Sequence, residues 1–168
     1  MNTAAGQVVV ALGSNLGDSA AQVSVAIDRL AGLAAGAVRR SSLWQSTPVD
    51  CPPGSPLFVN AVAMFRPLPG ETPESLLTKL QALEREFGRR PKLVLNEARP
   101  LDLDVIAWGD EQVDLPGLVL PHPRAHLRRF VLEPLAELAP GLVLPGQSQA
   151  VRELLTGLSP DPDFRRLA

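Results

Sequence analysis

Two aspartates in the segment Leu101-Asp102-Leu103-Asp104-Val105 have the spacing of a metal-binding pair. Successive side chains of a β-strand point to opposite faces, so Asp102 and Asp104 share one face, about 7 Å apart along the strand. The intervening apolar residues then point into a core. Paired carboxylates suit Mg²⁺, which fills its coordination shell with water and phosphate oxygens. For this pattern alone, the solvated face of a half-buried strand is the alternative.

Basic residues are concentrated in the loops beside this acidic strand. Arg99 precedes Asp102 by three residues, and the others are Arg89, Arg90, Lys92, Arg124, Arg128 and Arg129, with His122 and His126 among them. Guanidinium groups bind phosphate with two donors, and phosphoryl transfer depends on positioning and on neutralisation of phosphate charge. Each arginine alone could be a solvated surface charge. The clustering beside the acidic strand favours phosphoryl transfer.

A second group of residues could bind a flat heterocycle. Phe58 and Asn60 share one face of a predicted strand directly after a proline-rich loop. A heterocycle could stack on Phe58 and form a hydrogen bond to Asn60, with Phe130 as the second wall. The alternative is that both phenylalanines belong to the core.

Two further sequence patterns, around Gly13 and His122, are weaker evidence for a binding site. Gly13 follows a strand, but the chain has no GxxxxGK[ST] or GxGxxG motif, so a structural turn is the better interpretation. His122-x-x-x-His126 could suggest zinc, but the neighbouring arginines disfavour a dication. A phosphate contact by His122 is more plausible, with His126 at the surface.

The order of predicted elements indicates an α+β fold. Strands are expected at residues 7–12, 38–45, 57–66 and 101–108, and helices at 19–34 and 73–87. This β-α-β-β-α-β order is typical of a ferredoxin-like sandwich, in which an antiparallel sheet is backed by helices. Loops are predicted at 46–56 and 89–98. A short strand near residues 112–113 should form a hairpin with the acidic strand, and helices at 130–138 and 150–157 and a frayed end should complete the chain.

Composition limits the possible partners and the location of the protein. The 168 residues fit a single domain, 1–168, with a core at about 7–158. A net charge of −2 argues against a nucleic-acid partner, and no apolar run is long enough to span a membrane. Cys51 is the only cysteine, which excludes an internal disulfide, and no signal peptide is evident. A cytoplasmic protein is expected.

Eight motifs, in their order and spacing, resemble the 6-hydroxymethyl-7,8-dihydropterin pyrophosphokinase family. They run from about residue 7 to residue 145. The motifs are Gly13-Ser14-Asn15, Thr47-Pro48, Phe58-x-Asn60-Ala61, Gln81-x-x-Glu84, Gly88-Arg89, Arg99-x-Leu101-Asp102-Leu103-Asp104, Pro121-His122 and Arg128-x-Phe130-x-Leu132-x-Pro134-Leu135.

The resemblance implies transfer of pyrophosphate from ATP to 6-hydroxymethyl-7,8-dihydropterin in folate biosynthesis, with release of AMP and two Mg²⁺ ions as cofactors. Both metals would bind Asp102 and Asp104, which with Arg89 and Arg99 form the expected catalytic set. The expected ATP-binding residues are Gln81, Glu84, Arg89, Arg99, His122 and Arg128. The expected pterin-binding residues are Thr47, Pro48, Val49, Phe58, Asn60 and Phe130. Partners would be these small molecules alone, and the protein would be a monomer.

One departure from the family concerns the second loop. Many members have Trp-Gly-Pro before the arginine equivalent to Arg99, where this chain has Asn96-Glu97-Ala98.

Two other classes of protein remain as alternative interpretations of the sequence. A non-catalytic ferredoxin-like ligand-binding module would not need the acidic pair or the arginines. An RNA-binding sheet would need a basic surface with exposed aromatic residues.

Overall fold

The computed structural model describes residues 6–48, 50–91 and 93–167, so Val49 and Lys92 lie outside the described residues. Its elements, in chain order, are β1 (Val8–Ser14), α1 (Ser19–Leu30), β2 (Arg39–Arg40), β3 (Trp44–Ser46), β4 (Phe58–Phe65), α2 (Pro73–Glu86), β5 (Asp102–Trp108), β6 (Val113–Leu115), β7 (Leu118–Leu120), α3 (Arg129–Leu138), α4 (Val151–Thr156) and β8 (Arg165–Arg166). Two single 3₁₀ turns, at Ala31–Leu33 and Ala125–Leu127, extend α1 and precede α3. In the described part of the chain, no helix combines the length and apolar character needed to cross a membrane.

The main sheet has the strand order of a ferredoxin-like fold. Its order is β5-β1-β4-β3-β8, β2 also pairs with β4, and all pairings are antiparallel. The prediction of an antiparallel sheet backed by helices is confirmed. The single strand expected at 38–45 is two short strands, because the Ser41 hydroxyl accepts the Val62 N–H at 2.9 Å in place of a backbone carbonyl.

Both faces of this sheet are buried. Val8, Val10 and Leu12 of β1 pack towards α1 and α2, while Val9 and Ala11 pack towards α3 and α4. Burial on both faces explains why β1 is a continuous apolar run instead of an alternating pattern. The C-terminal helices therefore add a third layer, on the face that carries Asp102 and Asp104.

Helix α2 has strong start and stop signals, and it carries one site residue. Thr72 caps its N-terminus by accepting the Ser75 N–H at 3.1 Å, with Pro73 in the first turn. Gly88, with a φ of +96°, follows its last turn. The buried side of the helix consists of Leu76, Leu80, Leu83 and Glu84. A carboxylate on an otherwise apolar stripe needs partners, and Glu84 has them in the Arg89 side chain and the Leu103 N–H.

The predicted frayed end is wrong. β8 pairs with β3, and the Phe164 ring stacks on Trp44 with centroids 5.2 Å apart. Trp44 Nε1 in turn donates to Glu137 of α3 at 2.7 Å. The expected core boundary at residue 158 therefore leaves out a strand of the main sheet. The hairpin predicted between the acidic strand and the residues near 112 is also wrong, because β6 pairs with β7.

Candidate active site

A cavity of about 160 Å³ opens at the end of the three central strands. The registers place Gly13 of β1 directly between Asn60 of β4 and Asp102 of β5. A Cβ atom on Gly13 would lie 3.4 Å from Asn60 Oδ1 and 3.5 Å from the Phe58 ring. The interpretation of Gly13 as a turn is therefore wrong, because it is a strand residue whose missing side chain leaves the cavity floor open.

The acidic pair lies on this floor as predicted. Asp102 and Asp104 both line the cavity, and Leu103 between them is buried in the opposite core. Loss of hydration and the charge of Asp102 raise the pKa of Asp104 to about 7, and Arg128 opposes this shift. The structure thus holds two carboxylates together at a cost in charge repulsion that a bound cation would relieve.

The donor set fits Mg²⁺ better than zinc. Among the described residues, no group of three or more His, Cys, Asp or Glu side chains could hold a metal ion. Zinc sites use three or four such ligands, whereas Mg²⁺ binds through one or two carboxylates plus water and phosphate. The Nδ1 atom of His122 accepts the Arg124 N–H at 3.2 Å.

Arg89 connects the acidic pair to helix α2. Its Nη1 atom donates to Asp102 Oδ1 at 2.6 Å, to Glu84 Oε2 at 2.9 Å and to the Leu101 carbonyl at 3.3 Å. Glu84 Oε2 also accepts the Leu103 N–H at 2.8 Å. Burial raises the pKa of Glu84. Glu84 thus lies behind Arg89, while Gln81 is exposed one turn earlier on α2.

Both predicted aromatic walls line the cavity, and an arginine covers each ring. The Arg99 guanidinium carbon lies 5.4 Å from the Phe58 ring centroid, and that of Arg128 lies 5.3 Å from the Phe130 centroid. These are cation–π distances. The buried Nε of Arg99 has no hydrogen-bond partner within the described ranges. Because both rings line the cavity, neither Phe58 nor Phe130 belongs only to the hydrophobic core.

The polar edge of the cavity is formed by β3, β4 and the first loop. Asn60 Nδ2 donates to Ser46 Oγ at 2.7 Å, which fixes the amide beside Gly13. Thr47 also lines the cavity, and Pro48 is half-buried next to it. The expected contact of Val49 lies outside the described residues. Ser46 could not be identified from sequence, because its pairing with β4 depends on the register.

The sequence also gave no signal for a contact between the two long loops. Asn96 Nδ2 donates to the Asp50 carbonyl at 2.7 Å, and both residues line the cavity. Both have positive φ angles, 54° for Asn96 and 53° for Asp50. The position at which many family members carry tryptophan is thus occupied by an amide that joins the loops.

The predicted basic cluster converges only in part. Arg89, Arg99, Arg124 and Arg128 surround the acidic pair. Arg129 instead contacts Glu133 and the Ser159 carbonyl, at 3.2 and 2.7 Å. Burial and the charges of Arg128 and Arg124 lower the pKa of His122, so this imidazole is neutral at pH 7. Lys92 is not among the described residues.

Comparisons with known proteins agree with the motifs. Residues 9–140 match the family model for 7,8-dihydro-6-hydroxymethylpterin-pyrophosphokinase (HPPK). A 2-amino-4-hydroxy-6-hydroxymethyldihydropteridine pyrophosphokinase of Pseudomonas aeruginosa is 43% identical over 140 residues, covering 83% of this chain and 84% of that protein. The protein of the same name from Haemophilus influenzae is 39% identical, covering 87% and 89%.

Solved structures show the same fold. A crystal structure of HPPK-DHPS in complex with substrates matches with a TM-score of 0.75 and 11% identity, over 96% of this chain. A triple mutant of Plasmodium falciparum HPPK-DHPS matches with a TM-score of 0.73 and 12% identity, over 97% of this chain. The chain spans about half, 48%, of each of those longer proteins.

Proposed function

Because this chain belongs to the 7,8-dihydro-6-hydroxymethylpterin-pyrophosphokinase family, we propose that it transfers pyrophosphate from ATP to 6-hydroxymethyl-7,8-dihydropterin. The hydroxymethyl oxygen forms a bond to the β-phosphorus of ATP and loses its proton. The bond between the β-phosphorus and the oxygen that bridges to the α-phosphorus breaks, so AMP leaves. One observation carries the proposal: a carboxylate pair, several arginines and two aromatic rings line a single cavity.

Asp102 and Asp104 are the proposed ligands of two Mg²⁺ ions. These ions would supply positive charge that neutralises the phosphate oxygens. The two aspartates are rigidly placed, because Leu103 between them is buried and its N–H is bonded to Glu84. Rigid placement suits phosphoryl transfer, in which the protein contributes mainly position and electrostatics.

Arg99 and Arg89 are the proposed partners of the transferred phosphates. The buried Nε of Arg99 has no partner among the described residues, and a phosphate oxygen would supply one. Arg128 would bind the nucleotide on the α3 side. The neutral His122 would donate a hydrogen bond to the nucleotide through Nε2, because its Nδ1 already accepts a backbone N–H.

The pterin would stack between Phe58 and Phe130, with Asn60 and Thr47 at its polar edge. Arg99 and Arg128 lie over these two rings. Nucleotide phosphates attract both guanidinium groups, so binding of ATP before the pterin is favoured, with positive and reciprocal coupling between the two ligands.

The test is the identity of the nucleotide product. We expect AMP from ATP, with both the dihydropterin and Mg²⁺ required. A non-catalytic binding module would bind the pterin without forming AMP, and an ordinary kinase would release ADP. Asp114→Asn is a suitable control for the same substitution at Asp102 or Asp104, because Asp114 is exposed on β6.

A further inference from the structure

We infer that Glu84 is a positioning residue that retains Arg89 when a metal ion takes the Asp102 oxygen to which Arg89 is now bonded. The inference rests on the proposed function, because it assumes that Asp102 binds metal. It assigns Glu84 a role behind Arg89, away from the nucleotide.

The geometry around Arg89 carries this inference. A single nitrogen, Nη1, lies 2.6 Å from Asp102 Oδ1 and 2.9 Å from Glu84 Oε2. A cation bound to Asp102 Oδ1 would repel this guanidinium and compete for the same oxygen. Arg89 would then lose its shorter ion pair. Glu84 offers a second carboxylate that Arg89 already contacts, so the arginine need not leave the site.

Glu84 is fixed in a way that suits this task. It lies on the buried stripe of α2, and its Oε2 atom accepts the Leu103 N–H at 2.8 Å. Leu103 is the residue between the two aspartates, so one carboxylate oxygen determines the position of both the strand and the arginine. Through Leu103, Glu84 is connected to the acidic pair without touching the cavity.

Charge should matter more than shape at this position. In Glu84→Gln, the amide oxygen can still accept the Leu103 N–H, so the strand contact is retained. Arg89 then has Asp102 as its one remaining carboxylate partner in the described part of the site. A metal that takes Asp102 must break that ion pair with no second carboxylate left to hold Arg89. We expect metal affinity to fall about tenfold, a size typical of one hydrogen bond to a charged group.

The test measures metal binding without turnover. Mn²⁺ would be titrated into the full chain by electron paramagnetic resonance, with a non-hydrolysable ATP analogue present. Glu86→Gln is the matched control, because Glu86 lies on the same helix in an exposed ion pair with Arg29. We expect weaker Mn²⁺ binding for Glu84→Gln only. Unchanged Mn²⁺ affinity in a folded Glu84→Gln protein would overturn the inference.

A double-mutant cycle separates an effect through Arg89 from a general effect of charge. In an Arg89→Ala background, Glu84→Gln should lower the logarithm of the Mn²⁺ affinity by less than half of the decrease that it causes in the parent protein. An equal effect in both backgrounds would mean that Glu84 attracts the metal directly and does not act through Arg89.

A measurement on the unmodified protein remains if Glu84→Gln does not fold. Arg89 side-chain NMR signals, assigned by their absence in Arg89→Lys, should keep slow guanidinium rotation when Mg²⁺ alone is added. Fast rotation after addition of Mg²⁺ would show that nothing retains Arg89. These readouts do not depend on catalysis, so their failure is distinguishable from absence of AMP formation, which would refute the proposed function itself.

Discussion

Asp104 shows how the residues of this site combine opposing demands. Its side chain is partly desolvated and close to a second carboxylate, and both effects disfavour its charged form. Asp102 is the aspartate that receives the Arg89 ion pair, at 2.6 Å. Desolvation and charge repulsion at Asp104 therefore destabilise the folded protein, and a cation bound between the two carboxylates would remove this destabilisation.

We expect Asp102→Asn and Asp104→Asn each to lower turnover by at least about a hundredfold, a loss comparable to that of one group stabilising transition-state charge. An amide is neutral and a weaker metal ligand, but it fills the same space. Steady-state assays at saturating Mg²⁺, with the melting temperature as a check on folding, measure this. Near-native turnover in both variants would refute the metal assignment.

The raised pKa of Asp104 predicts a pH-dependent stability. The folded protein keeps this proton up to about pH 7, whereas the unfolded chain loses it near 3.8. The folded state therefore binds more protons in between, and the contribution of Asp104 to the free energy of unfolding falls as pH rises from about 4 to about 7.

Because asparagine does not ionise, metal-free Asp104→Asn should be more stable than the parent protein at pH 8. The expected gain is a few kcal/mol, because each tenfold change in the proton equilibrium between pH 3.8 and about 7 is worth about 1.4 kcal/mol. Tm should therefore rise by several degrees. The difference should disappear towards pH 4. Calorimetry in the presence of a chelator measures it, with Asp114→Asn as the control. A less stable Asp104→Asn at pH 8 would contradict the assignment of a destabilised carboxylate.

Arg99→Lys should not be a conservative change. Lysine supplies one point charge in place of a planar group with two parallel donors. We expect kcat to fall by about tenfold or more, the usual minimum effect of losing one charged hydrogen bond, with little change in Tm. Equal kcat values for both proteins would show that the two-donor geometry is unnecessary.

At the scale of elements, the site depends on three strand ends and two loops. The strands are rigid, since residues of β1, β4 and β5 are buried on both faces of the sheet. The loops meet through Asn96 and the Asp50 carbonyl. Placing tryptophan at Asn96 would remove this bond and force a bulky residue to a φ of about 54°, which is unfavourable for it.

Asn96→Ala should therefore loosen the contact between the loops. We expect a KM for the pterin that is raised several-fold, on the order of one net hydrogen bond, with kcat changed less. Limited trypsin digestion of the ligand-free protein should cut the 89–98 loop faster. Asp114→Ala, a change on the exposed part of β6 away from both loops, is the control. Unchanged cleavage and an unchanged KM would show that the amide does not hold the loops.

At the scale of the whole molecule, local sequence patterns and long-range contacts were not equally predictable. The acidic strand, the α2 cap and the Phe58–Asn60 face follow from periodicity and residue chemistry, and the structure has them. The resemblance placed the arginines near the aspartates. The pairing of β8 with β3, the Asn96–Asp50 contact and the role of Ser46 join residues far apart in the chain. Periodicity carries no information on such contacts.

The measurement that tests the central claim most directly is ³¹P NMR of a reaction with ATP, Mg²⁺ and 6-hydroxymethyl-7,8-dihydropterin. We expect AMP and a pterin diphosphate ester to appear in equal amounts, with no ADP. Neither should form when the pterin is omitted, and both should form at least about a hundredfold more slowly when Asp102→Asn replaces the parent protein. ADP as the product, or no reaction from a folded protein that binds both substrates, would contradict the account.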